Sequence, residues 1–207
     1  MEYELLSALA VFAFVSSATP GPNNLMLLAS GANFGVRRTV PHMLGISVGH
    51  AVMVLLLGLG LAGVFTEWPA ARLVLSVLSV VYMVWLAWKI AHAAAPGEPA
   101  AAEGGTEAGR QAGRPLTFLQ AAAFQWVNPK AWAMALTAVT VYAPGTGMAA
   151  MALVAVVFAS VNLPSVSIWT CMGVQVRHFL TSARRLQVFN WTMALLLLAS
   201  LWPVLAL

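Results

Sequence analysis

Two clusters of polar and helix-breaking residues lie inside long apolar runs: Pro20, Gly21, Pro22, Asn23 and Asn24 in the first, and Asn128, Pro129 and Lys130 in the fourth. Proline removes a backbone donor and clashes with the preceding turn, so each cluster should end one helix and start another. A helix that starts there offers free N–H groups and a positive dipole end to an anion such as a carboxylate. The carbonyls left without donors upstream of Pro22 and Pro129 suit an ammonium group. Asn23, Asn24 and Asn128 can either cap the new helices or hold a ligand. Such a cavity fits a zwitterion.

The elements that position these clusters follow from composition. The chain of 207 residues is 61% hydrophobic and 8% charged, with a mean hydropathy of +0.86. Its apolar runs repeatedly reach the roughly 20 residues needed to cross a bilayer. The expected fold is an all-α integral membrane protein of six spans: a bent first span between Glu4 and Arg37, then Pro41 to Phe65, Arg72 to Lys89, Leu116 to Val141, Met148 to Val176, and Leu186 onward. The opening MEYELL carries two glutamates and no basic residue, which argues against a cleaved leader. In hydrocarbon, broken helices persist only where they line a cavity enclosed by protein. The two breaks therefore point to a substrate site near the midplane.

Lys130 is the only formal charge expected far from both membrane surfaces, which makes it a functional candidate by default, for substrate or for proton coupling. Two plainer roles compete: snorkelling to an interface, or hydrogen bonding to carbonyls freed by the breaks. Gln125 is a polar partner within reach on the same helix, and Gln120 falls nearer the interface. His50 in the second span is a second proton-coupling candidate, against the plainer reading of a packed, hydrogen-bonded histidine. Asn162 and Ser165 flank Pro164, where a kink should free further carbonyls, and Asn162 joins the candidate substrate-binding set.

Basic residues alternate between loops. Arg37 and Arg38 lie in the first, Lys89, Arg110 and Arg114 flank the third, and Arg177, Arg184 and Arg185 occupy the fifth. The positive-inside rule then makes the odd loops cytoplasmic and puts both termini on the opposite, periplasmic or extracellular side. This bias also accounts for the net charge of +4, so nucleic acid is not an expected partner. Residues 93–115, rich in Ala, Gly, Pro and Glu, read as a flexible linker between a first three-helix repeat, 1–92, and a second, 116–207. Three spans per half, each half opening on a proline break, is the pattern of an inverted repeat.

Other chemistries lack their residues. The chain has no Asp, and its six Glu residues lie near the N-terminus, in the second loop or in the linker. No metal site, cofactor site or paired-carboxylate catalytic site is expected, and the chain does not read as an enzyme. Gly58, Gly60 and Gly63 match a dinucleotide spacing inside an apolar span, without the acidic residue that such a site needs. Gly31 with Gly35, and Gly45 with Gly49, have the spacing of close helix packing, either within one chain or across a homodimer. The competing functional class is a passive pore for small neutral solutes.

The runs ATPGPNNLMLLASGANFGVRRTVPHMLGISVGH, VVYMVWLAWKIAH and FQWVNPKAWAMAL resemble the LysE/RhtB family of bacterial amino-acid exporters, and within it the cysteine and O-acetylserine branch. The resemblance covers nearly the whole chain. It implies export of an amino acid or derivative across the inner membrane, driven by proton antiport. The family's motifs map onto Pro20, Gly21 and Pro22, onto Gly35 and Arg37, and onto Asn128, Pro129 and Lys130. Asn162 stands near the place where related exporters often carry an acidic residue. The implied partners are an amino-acid substrate and membrane lipid.

Overall fold

The computed structural model describes residues 2–61, 67, 70–93 and 114–201. Every regular element among them is helical: α1 (Glu2–Ala18), α2 (Pro22–Gly58), α3 (Ala70–Ala91), α4 (Phe118–Gln125), α5 (Pro129–Tyr142), α6 (Met148–Arg177) and α7 (Ala183–Ala199). Three stretches are long and apolar enough to cross a membrane: Pro22–Gly58, Leu73–Ala91 and Met148–Arg177. The count falls below six because the proline clusters divide the first and fourth apolar runs into pieces that are individually short, and the sixth run yields a helix of 17 residues. Most of the linker proposed between His92 and Leu116 lies outside the described residues, as does Gly63.

Helix α2 is two legs joined at Gly35, whose φ of 77° and ψ of 171° strongly favour glycine. Ser30 and Thr39, on opposite sides of it, are joined by a 2.8 Å hydrogen bond. In a straight helix nine residues rise about 13 Å, so this contact requires the chain to turn back on itself. Thr39 Oγ1 already donates to the Gly35 carbonyl, which leaves Ser30 as the donor between them. The reversal corrects one expectation. Gly35 is a turn residue with open space around it, whereas its neighbour in the motif, Gly31, is a packing residue whose Cβ would strike the Thr170 carbonyl.

Antiparallel pairs build the rest. Along α1 and the first leg of α2, Phe12, Thr19 and Asn23 meet Tyr142, Lys130 and Gln125 in turn, so the two broken helices run in opposite directions with break against break. The second leg runs antiparallel to α6, with Gly58 against Met151, His50 against Phe158 and Ser47 against Asn162. Helix α3 packs on α7, where Ala93 and His92 meet Asn190 and Trp191. Gly45 and Gly49 admit α4 at backbone contact, the latter leaving 2.6 Å between a would-be Cβ and Ala122 Cα. Gly31, Gly45 and Gly49 are thus engaged within one chain. Pro164 lies inside α6 without dividing it, so the expected kink is not a third break.

Two apolar clusters lie on either side of the breaks. One gathers Met26, Ile46, Leu86, Phe124 and Leu197, the other Leu9, Met53, Ala135, Val154 and Phe158. On the outside, Val40, Leu44, Val48, Val52 and Leu56 form an exposed stripe at four-residue spacing, and Leu73, Val77, Val81 and Val84 another. Rows of exposed large hydrophobics along helices of this length suit contact with lipid. Arg37, Arg38, Lys89, Arg114, Arg177, Arg184 and Arg185 fall at one end of the bundle, the end of the Gly35 reversal and of the Asn33–Asn190 contact.

Candidate functional site

The breaks meet. Helix α1 stops at Ala18, and the next helix starts at Pro22 after an extended Gly21. Four orphan carbonyls at the end of α1 are met by side chains from elsewhere. Asn24 Nδ2 donates to the Ser17 and Thr19 carbonyls, each at 2.7 Å. Trp169 Nε1 donates to the Ala18 carbonyl at 3.0 Å. Lys130 Nζ reaches the Thr19 carbonyl at 2.7 Å, Thr19 Oγ1 at 2.8 Å and the Pro20 carbonyl at 3.3 Å. All three ammonium protons are thereby used, at a helix C-terminus whose dipole favours a cation.

The second break is closed by its own residues. The N–H groups of Trp126, Val127 and Asn128 donate to the carbonyls of Ala123, Phe124 and Gln125, tightening the last turn of α4. Asn128 Oδ1 caps α5 by accepting from the Lys130 N–H at 3.1 Å. Trp132 Nε1 donates to the Trp126 carbonyl at 2.8 Å. A reciprocal amide pair spans the two breaks: Asn23 Nδ2 donates to Gln125 Oε1 at 2.9 Å, and Gln125 Nε2 to Asn23 Oδ1 at 3.2 Å.

These groups enclose a cavity of about 20 Å³ lined by Gly21, Asn23, Asn24, Asn128, Lys130 and Asn162, with Ser16, Ser17, Met134 and Val166. That is room for about one water. A Cβ on Gly21 would lie 2.7 Å from Lys130 Cδ and 3.1 Å from Nζ, so a larger residue here would displace the lysine side chain. Asn162 donates to Ser17 Oγ at 3.0 Å and accepts from Ser47 at 2.9 Å, tying α6 to both neighbours. The arrangement can present carbonyls and an ammonium to a small zwitterion once the lysine swings away or the halves part.

Most of the residues singled out in the sequence fall together at this junction. Pro20, Gly21, Pro22, Asn23, Asn24, Gln125, Asn128, Pro129, Lys130 and Asn162 all lie in or beside it. Of the asparagines, only Asn128 caps a helix start; Asn24 reaches backwards to the preceding helix instead. Gln120 completes a capping box with Thr117 at the start of α4. His50 stands apart, buried, with its ring tilted against Phe158 at 4.6 Å between centroids and Nε2 unpartnered among the described residues. Sequence reasoning missed Thr19 and Trp169, polar partners with no motif of their own, and it missed His42 and the burial of Lys89.

Helices with lipid-suited faces and a polar junction of two breaks define a multi-pass membrane protein of the transporter class. The sequence matches the LysE type translocator family over residues 14–200, and the chain belongs to that family, whose members are transporters and not enzymes. It is 31% identical over 139 residues to the cysteine/O-acetylserine efflux protein of Escherichia coli (strain K12), and to the same degree to those of Shigella sonnei (strain Ss046) and Shigella flexneri. Each alignment covers 67% of this chain and 65% of the relative, so the chain spans just under two thirds of those proteins. No solved structure matches it.

Proposed function

We propose that this protein exports a small amino acid or derivative, of the cysteine or O-acetylserine kind, from the cytoplasm across a bacterial inner membrane by proton antiport. In this reading the chain makes six passes as two inverted three-helix halves, 1–92 and 116–207, joined by residues 93–115. Its basic end faces the cytoplasm and both termini face outward. The observation that carries the reading is the antiparallel meeting of the two breaks, bridged by Lys130 and by the Asn23–Gln125 pair.

The substrate's ammonium takes the place that Lys130 Nζ holds among the Thr19 and Pro20 carbonyls. Its carboxylate takes the released Lys130 ammonium, or the N–H groups at the start of the helix near Asn23 and Asn24. Because the cavity is small and apolar clusters lie on either side, substrate enters only when one half rocks against the other. Lys130 is the candidate proton carrier at the junction, and His50 the candidate outside it.

Purified protein in proteoliposomes tests this with labelled cysteine, O-acetylserine, leucine, threonine and lysine, with and without an imposed pH gradient. Saturable uptake of one or two of these, steepened by the gradient, is the expected result. Flux linear in concentration and indifferent to the gradient would instead mean a pore.

A further inference from the structure

A second cavity, of about 40 Å³, lies at the basic end, apart from the junction of the breaks. Its apolar wall includes Met26, Leu86 and Ile90, and its polar groups are His42, Lys89 and Arg114, with Ser30 and Asn33 beside them. His42 is 1% exposed, and neither ring nitrogen has a hydrogen-bond partner among the described residues. Lys89 is 8% exposed, and the one contact its ammonium makes among the described residues is with the face of Trp85, at 5.5 Å. Arg114 is exposed, with no hydrogen bond or ion pair among the described residues.

A buried imidazole with both nitrogens unpaired bears a desolvation cost that nothing offsets, and the Lys89 cation beside it has no anion among the described residues. Asn33 and Ser30 do not relieve this, since the Asn33 amide is engaged with Asn190 and the Ala29 carbonyl, and the Ser30 hydroxyl with Thr39. Either tautomer of His42 has one N–H to give, and with Lys89 and Arg114 it lines the space with donors, with no carboxylate among the described lining residues.

We propose that this cavity is an oxyanion site, built for a carboxylate or phosphate group carried on an apolar body. His42 and Lys89 hold the anion inside, and Arg114 receives it at the mouth. The site stands on its own residues and does not depend on the export reading, because none of its polar groups belongs to the junction of the breaks.

Full-length protein carrying ring-labelled histidine in a neutral detergent tests it by nuclear magnetic resonance, with the His42 signal assigned through His42→Gln. Sodium butyrate and inorganic phosphate are titrated separately against sodium chloride at matched ionic strength. The same signal is compared in nanodiscs of phosphatidylcholine and of phosphatidylglycerol. A saturable shift of His42 with butyrate or phosphate and not with chloride supports a site for soluble anions; a shift on changing the lipid supports a headgroup site. In either case Arg114→Gln, at an exposed position, should weaken binding about tenfold, as should Lys89→Gln, whereas Arg177→Gln should not. A His42 signal that no anion and no lipid moves, that chloride moves equally, or that responds unchanged in Arg114→Gln would overturn the proposal.

Discussion

The two helix breaks solve one problem in different ways. The backbone at the Asn128 and Pro129 break is closed from within residues 123–132, through a tightened turn, an asparagine cap and a tryptophan folded back on the chain. The break at Pro20 to Pro22 has no side-chain cap, and its carbonyls depend on Asn24, on Trp169 from α6 and on Lys130 from the other break. A locally closed break keeps its shape wherever its helix goes. A break closed by distant groups loses partners when those groups move, so its carbonyls become available to a ligand. In the proposed export cycle, the first break is therefore the element that would change hands between protein and substrate, and the second the fixed frame that carries Lys130 to it.

Repairing the first break puts this contrast at risk directly. Pro22→Ala restores an N–H able to extend the helix, and turnover in proteoliposomes should slow about tenfold with the protein still inserted, a barrier change of about 1.4 kcal/mol. Unchanged turnover would make the break mere scaffold. Asn24→Ala strips the buried donor shared by the Ser17 and Thr19 carbonyls, and chemical unfolding in detergent should show a loss of about 1–3 kcal/mol. Asn23→Leu with Gln125→Leu, measured singly and together, should give a coupling energy of about 1 kcal/mol, since either single change leaves a partly buried amide without its mate. Asn128→Ala should cost about 1 kcal/mol by removing the α5 cap, and Asn128→Ser, which can still cap, only a few tenths. If the second break is closed locally, that cost should be the same in a Lys130→Ala background.

Much of the junction was legible because proline and a charge in apolar sequence are costly, and costly residues advertise themselves. Pro22, Pro129 and Lys130 could be read for that reason. What could not be read was which group answers which. Asn24 looks like a helix cap by position, but caps nothing because its amide reaches two carbonyls behind it. The partnership of Asn23 with Gln125 spans 102 positions, and nothing local in either residue reveals it. Gly35 had the spacing of a packing glycine, and only the backbone angles show it turning the chain. His42 and the burial of Lys89 escaped notice because a histidine after Pro41 is unremarked in a linear reading and a lysine at the end of a span reads as a loop charge, although both line one cavity.

If an amino acid is handled where the two breaks meet, Lys130 at the centre of that junction must govern its flux. Initial uptake of labelled cysteine and O-acetylserine by proteoliposomes holding equal amounts of wild type and Lys130→Ala, each checked for a single monodisperse folded species, tests it most directly. The variant is expected to stay folded and inserted while saturable flux falls by about 100-fold or more, the equivalent of roughly 2.7 kcal/mol. Wild-type flux from a Lys130→Ala protein would contradict it.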